Sequence, residues 1–348
     1  MVNAVDRVAY TARQAARVAW FMGHYFAARE FHGAAPKGGQ DRPRPARPGP
    51  SRERMVADMA ALFAQDLANV EVGFYPLLAD RDGSLPELVR RSRLFFADLP
   101  QSTERKQNGR GREVHSEDLA ARYPSYYLQN FHYQSGGYLT DDSARLYDMQ
   151  VEVLFSGTAN AMRRACLVPL AETMRGRDQR MVHLLDVACG TGRFLRFAKR
   201  AYPRIAASGV DLSAAYLGEA RRHLRPYGDV ALNVAKAEDL PVADASQDVV
   251  VSIYLFHEIP PDVRRQAARE FARVLKPGGR LIFMDSLQLG DVPDYDGLLE
   301  RFPVNFHEPF FASYIAEDLR TLFADTGLSV AREEPVFLSK LVVCDKPV

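Results

Sequence analysis

The chain has 348 residues, 47% of them apolar, and a formal net charge of +1. That length suits two domains, and that apolar share supports a sizeable core and excludes a disordered chain. The near-neutral balance offers no global attraction for nucleic acid or an anionic membrane. Three cysteines without a CxxC pair argue against a disulfide framework or a structural zinc site and fit a reducing, cytoplasmic compartment.

Residues 1–35 read as an amphipathic helix. Its most apolar part, Val18–Ala28, carries His24 and is flanked by Arg17 and Arg29, so it reads neither as a membrane span nor as a signal peptide. It is expected to pack on its own protein or on a second copy, as a homodimer through this helix, with at most peripheral membrane contact. Residues 36–50 are a linker: from Ala35 to Pro50, five prolines and three glycines deny regular structure.

Residues 51–180 read as a helical cap and substrate region. Val56, Met59, Ala60, Leu62, Phe63 and Leu67 recur at helical spacing, and Leu85–Phe96 suggests a second helix. Ser102–Glu117 is polar and reads as a loop. The aromatic stretch Tyr123–Tyr138 ends in a Gly-Gly turn, and Asp141–Leu170 reads as one or two helices.

From residue 181 to 348 short apolar runs alternate with amphipathic helices, which predicts an α/β unit with a parallel sheet between helical layers. Leu328–Glu334 and Val336–Asp345 are expected to add an antiparallel pair.

The informative motif is HLLDVACGTGRF, His183–Phe194: a strand ending at Asp186, a loop with Gly190 and Gly192, then a helix. Glycines there let a ligand approach the backbone, at the carboxyl edge of the sheet where open α/β folds bind ligands. A dinucleotide fingerprint needs a third glycine where Leu195 stands, and a phosphate loop needs GxxxxGK[ST], which is absent. Asp211 ends the next strand 19 residues after Gly192, where a carboxylate reaches ribose hydroxyls. The plainer alternative is a cap for the helix beginning near Ser213.

Four blocks, LLDVACGTG, GVDLS, AEDLPVADASQDVVVS and RVLKPGGRLIF, occur in that order between Met181 and Asp285. This run resembles the class I S-adenosylmethionine-dependent methyltransferases, nearest to those of ubiquinone and menaquinone biosynthesis. The resemblance implies a Rossmann-like seven-stranded mixed sheet with helices on both faces, preceded by a mainly helical N-terminal cap. It implies S-adenosyl-L-methionine as cofactor, released as S-adenosyl-L-homocysteine. By position, Asp186, Ala188, Gly190, Gly192 and Asp211 would hold the methionine part and ribose, and Leu212, Ala237 and Glu238 the adenine. Ile253 and Tyr254 would line the cofactor, and Tyr147 resembles the tyrosine ahead of the glycine loop that reaches its methionine end. Two departures stand out: Lys236 replaces the usual acid before the alanine, and Ala188 occupies the first glycine of GxGxG.

Methyl transfer from a sulfonium is an in-line displacement on an activated donor, so alignment carries most of it and a base is needed only for an acceptor that loses a proton. His257, Glu258 and His132 are the candidates for that chemistry. The plainer alternative packs His257 beside the cofactor and pairs Glu258 with Arg264 or Arg265. HEIPP lacks the second histidine of HExxH, and no metal site is assigned. Tyr133, Tyr138, Phe256, Phe306 and His307 are expected to meet substrate, the last two within the insertion FHEPFF after the fifth strand. An aromatic lid suits a small, largely apolar, aromatic or isoprenoid-like acceptor, and the absent Asn-Pro-Pro-aromatic tetrad argues against DNA. The alternatives are a catalytically silent cofactor-binding assembly or regulatory factor, a methyltransferase for RNA or protein, and an enzyme that uses the cofactor for a rearrangement.

Overall fold

The computed structural model describes residues 2–34, 46–80, 83–228 and 230–348. Most of the 36–50 linker therefore lies outside the described residues. Its last part is ordered against the body, where Arg47 pairs with Asp296 and Glu300.

Among the described residues seven α-helices precede the sheet: α1 (Ala4–Ala34), α2 (Arg52–Val72), α3 (Leu85–Asn108), α4 (Glu117–Ala120), α5 (Asp141–Leu154), α6 (Ala159–Ala165) and α7 (Leu167–Met174). The 141–170 stretch thus makes three helices rather than one or two. Helix α1 buries Tyr10, Gln14, Arg17, Phe21, His24 and Ala28, an alternation of fours and threes that keeps one face turned inward. That face packs on α2, α3 and α5 of its own chain. Among the described residues no helix is long and apolar enough to cross a membrane.

Helix α3 corrects the loop expected over 102–117: it runs on to Asn108 and stops at Gly109, whose left-handed backbone caps it. The polar segment stays helical because its side chains are used at home. Ser102 and Thr103 donate to the Leu99 carbonyl at 3.1 and 2.6 Å, and Arg105 reaches the Tyr133 carbonyl at 2.7 Å.

The α/β part runs β1 (His183–Val187), α8 (Arg193–Ala201), β2 (Ala206–Asp211), α9 (Ala214–Leu224), β3 (Ala231–Val234), β4 (Gln247–Ile253), α10 (Pro261–Val274) and β5 (Leu275–Ser286). An insertion follows with α11 (Asp296–Asn305) and α12 (Phe311–Tyr314), then α13 (Leu319–Ala324), β6 (Ser329–Val336) and β7 (Ser339–Asp345). The seven strands stand in the order β3-β2-β1-β4-β5-β7-β6, with β1 to β5 parallel and β7 antiparallel to both neighbours. Alternate residues feed two cores. Leu184, Val249, Val251, Ile282 and Met284 face the α6–α9 side, while Leu185, Val250, Leu281 and Phe283 face α10 and α13. Strand order reverses between β1 and β4, and an open α/β sheet of this kind leaves a crevice at that carboxyl edge.

Candidate functional site

The glycine loop after β1 holds three left-handed residues, Ala188 (φ 59°), Gly190 (φ 54°) and Gly192 (φ 74°). Ala188 pays for its β-carbon there with about 1 kcal/mol, which explains why glycine is usual at this position. A β-carbon on Gly190 would meet no atom within 4 Å, so its open side faces ligand space. Gly192 has another task. A β-carbon there would touch Leu224 at 3.0 Å and Ala220 at 3.2 Å, so it lets α8 and α9 pack closely.

Asp211 ends β2 with both carboxylate oxygens oriented: the Gly190 amide donates to one at 2.8 Å and the Ser213 amide to the other at 2.8 Å. The cap of α9 is Ser213 itself. Burial raises the Asp211 carboxyl to about 6 against the pull of those two amides.

The cleft runs along this edge. At one end it is lined by Leu212, Lys236, Ala237 and Glu238. Glu238 accepts from the Tyr126 hydroxyl at 2.6 Å, tying the cap to the sheet, and the Lys236 ammonium meets Asp239 at 3.9 Å. Aromatic rings from the cap roof the middle: Phe131 stacks on Tyr138 at 5.2 Å, and Tyr147 meets Tyr216 edge-on at 5.1 Å. Ile253 and Tyr254 from the end of β4 form the floor.

The other end is charged. Asp186, Ala188, Gly190, Tyr147 and Ile253 meet Asp148, Arg163, Thr191 and Arg193 there. Asp148 is fully engaged, accepting from Thr191 at 2.8 Å and pairing with Arg193 at 3.1 Å. Asp186 and Arg163 are not. Asp186 is 2% exposed and its Oδ2 accepts no hydrogen bond among the described residues. Its carboxyl is pushed well up by burial and by the charge of Asp211, with Arg163 acting in the opposite sense. The Arg163 guanidinium lies over the Tyr254 ring at 5.4 Å and makes no side-chain hydrogen bond or ion pair among the described residues. A buried carboxyl with an open oxygen beside a guanidinium that makes no ion pair suits the ammonium and carboxylate of an amino-acid group. The residues present are compatible with S-adenosylmethionine: Arg163 and Asp186 would meet its amino-acid end, Gly190 would allow the backbone approach, Asp211 would meet the ribose, and Leu212 and Ala237 the base.

Beyond the floor, residues 256–258 make a 3₁₀ turn anchored by Asp285, which accepts from the Phe256 amide at 2.7 Å and meets His257 Nδ1 at 2.5 Å. Burial opposes charge on His257, yet Asp285 carries the imidazole up to about 9. Glu258 lines the cleft and accepts from the Tyr138 hydroxyl at 2.5 Å. Burial raises its carboxyl to about 7. His132, held at φ 54° and pushed down to about 3 by burial, stands 3.2 Å from Glu308.

The remaining expectations divide. Tyr138 lines the cleft. Phe256 does not: it is fully buried against Phe283 and Phe271, a core residue under the turn. Tyr133 and His307 pack together at 5.7 Å, and Phe306 packs on His132 at 5.6 Å, as a second layer behind the cleft wall. Glu258 does not pair with Arg264, which serves Glu317 and the Phe256 carbonyl. Sequence reasoning missed Arg163, Tyr126, Tyr216 and Asp285. It met Glu308 only as part of FHEPFF, and nothing local separates Arg163 from the neighbouring Arg164.

Residues 184–279 match a family model described as a methyltransferase domain. A ubiquinone/menaquinone biosynthesis C-methyltransferase of Syntrophotalea carbinolica is 36% identical over 152 residues, 43% of this chain and 60% of that one. An O-methyltransferase of Aspergillus sclerotiorum is 35% identical over 152 residues, 42% of this chain and 55% of that one. The chain thus spans less than two thirds of these relatives' own length. A solved S-adenosylmethionine-dependent methyltransferase of Aquifex aeolicus is 18% identical, with a TM-score of 0.38 over 51% of this chain and 87% of that one. The segment from β1 to β5 resembles the class I S-adenosylmethionine-dependent methyltransferases.

Proposed function

We propose that this chain is a cytoplasmic enzyme that transfers a methyl group from S-adenosylmethionine to a small, largely apolar, aromatic or isoprenoid-like acceptor. The observation that carries the reading is one cleft with a zwitterion-matching end and an aromatic-roofed middle, with Asp211 along it. A donor spanning that length would direct its sulfonium toward the rings of Tyr138 and Tyr147 and the carboxyl of Glu258. Alignment and exclusion of water by the aromatic roof would supply most of the rate. Glu258 is the candidate that faces the acceptor, while His257, fixed by Asp285, positions it, and His132 stands behind. The acceptor is a small molecule rather than DNA, since the cleft beside Glu258 is lined by the rings of Tyr138, Tyr147 and Phe131 rather than by a run of basic side chains. A second copy meeting the outward face of α1, where Val5, Val8 and Phe26 are exposed, belongs to the same reading. Light scattering tests it, and a monomer would remove it.

The test is calorimetric titration with S-adenosylmethionine, followed by a screen of phenolic, quinol and prenyl acceptors for S-adenosylhomocysteine release. Binding with turnover supports the enzyme. Binding without turnover on any acceptor supports a silent assembly factor instead, and a folded protein that does not bind the cofactor overturns both.

A further inference from the structure

We propose that His132, Glu258 and Glu308 form a divalent-cation site at the acceptor end of the cleft. Their ligand atoms all lie within 4.8 Å of one another. Each comes from a different segment: the 131–133 turn of the cap, the turn after β4, and the insertion after β5.

The second observation is Glu308 itself. It is 3% exposed, and neither carboxylate oxygen accepts a hydrogen bond among the described residues. Its Oε1 lies 3.2 Å from His132 Nε2 without forming one. Open carboxylate lone pairs at that depth are costly unless something positive meets them. The charge of His257 favours the ionised form of Glu308 but makes no ion pair with it among the described residues: that imidazole is held by Asp285 and approaches Glu258 at 3.8 Å. The rings of Phe302 and Phe306 meet the His132 imidazole edge-on at 6.0 and 5.6 Å.

One imidazole and two carboxylates suit a first-row divalent ion such as Mn²⁺ or Zn²⁺ better than Mg²⁺ or Ca²⁺, which prefer all-oxygen shells. Three protein ligands leave coordination positions open, as catalytic sites do. Glu258 lines the cleft, so the open side faces the acceptor. The ion would hold an acceptor oxygen, such as that of a phenol or enol, in its anionic form, the proton leaving to solvent. This role rests on the methyl-transfer reading above; the ion site itself does not.

The test titrates the full chain, stripped with chelator, with Mn²⁺ by electron paramagnetic resonance and with Zn²⁺ by calorimetry. One ion per chain is expected, weakened about tenfold or more by Glu308→Gln and by His132→Asn. Asparagine tolerates the left-handed backbone at position 132. No saturable binding of either ion, or equal binding in wild type and both variants, overturns the site. Should the variants fail to fold, Co²⁺ absorption of the wild type decides: nitrogen-ligated bands support the site and an aquo-ion spectrum overturns it. S-adenosylmethionine titration of the same samples keeps the readings apart. Cofactor binding without ion binding sinks only this inference, whereas ion binding without cofactor binding sinks only the proposed function.

Discussion

Arg163 and Arg164 are neighbours on α6, both buried, 6% and 1% exposed, yet they do opposite things. Arg164 turns toward α1 and α2. It pairs with Asp66 at 2.6 Å and with Asp80, while the hydroxyls of Tyr10 and Tyr75 donate to Asp66 and the Gln14 amide to Asp80. Every charge in that knot has a partner, and the knot ties α1, α2 and α6 together. Arg163, about 100° further round the helix, lines the cleft together with Asp186. A buried charge that is fully matched holds a fold; one left unmatched by its own chain marks where a ligand belongs.

The comparison can be broken most forcefully at Arg164. Arg164→Met leaves Asp66 buried without its cation and Asp80 with Arg17 alone, at 3.7 Å, and should lower unfolding stability by about 3–5 kcal/mol in urea titrations. A loss under about 1 kcal/mol would show that the knot does not hold the cap. Arg163→Met should do the reverse. Stability should change little, while S-adenosylmethionine affinity should fall by about 1.5–3 kcal/mol, the worth of a charged hydrogen-bonded contact. 5′-Methylthioadenosine, which lacks the amino-acid end, should bind both proteins alike, and an equal loss for both ligands would remove Arg163 from that end.

A pH titration sharpens the comparison at the ribose. Burial raises the Asp211 carboxyl to about 6, and the ionised form is the one that would hold a ribose diol. Affinity should therefore be full above neutrality and fall as pH drops through 6, roughly tenfold or about 1.4 kcal/mol between pH 7 and 5. Asp211→Asn should bind weakly with a flatter profile over that range; a wild-type profile without this inflection would remove the role. The smallest effect is expected at Ala188. Ala188→Gly relieves the left-handed strain but adds unfolded-state freedom, for a net gain of about 0.5 kcal/mol in thermal unfolding. A loss of stability would mean that the alanine methyl packs usefully.

The sheet and its cofactor edge could be read from residues because their signals are local. Glycines at 190 and 192 serve a turn within one strand–helix unit, and Asp211 ends the next strand, so position in the chain already implies position at the edge. The polar half of α3 could not be read that way, because Ser102, Thr103 and Arg105 turn inward onto partners on the helix itself and in the distant 133–135 segment.

The sequence by itself determined the alternation of strand and helix, the carboxyl-edge loop and the kind of ligand it admits, since periodicity and glycine chemistry act over a few residues. Only the tertiary structure decided which of two adjacent arginines faces the cleft, that Phe256 is core, and that His132, Glu258 and Glu308 meet. The physical reason is that each of these depends on how separate segments are brought together by packing, and a buried charge acquires its meaning from neighbours that lie far away along the chain.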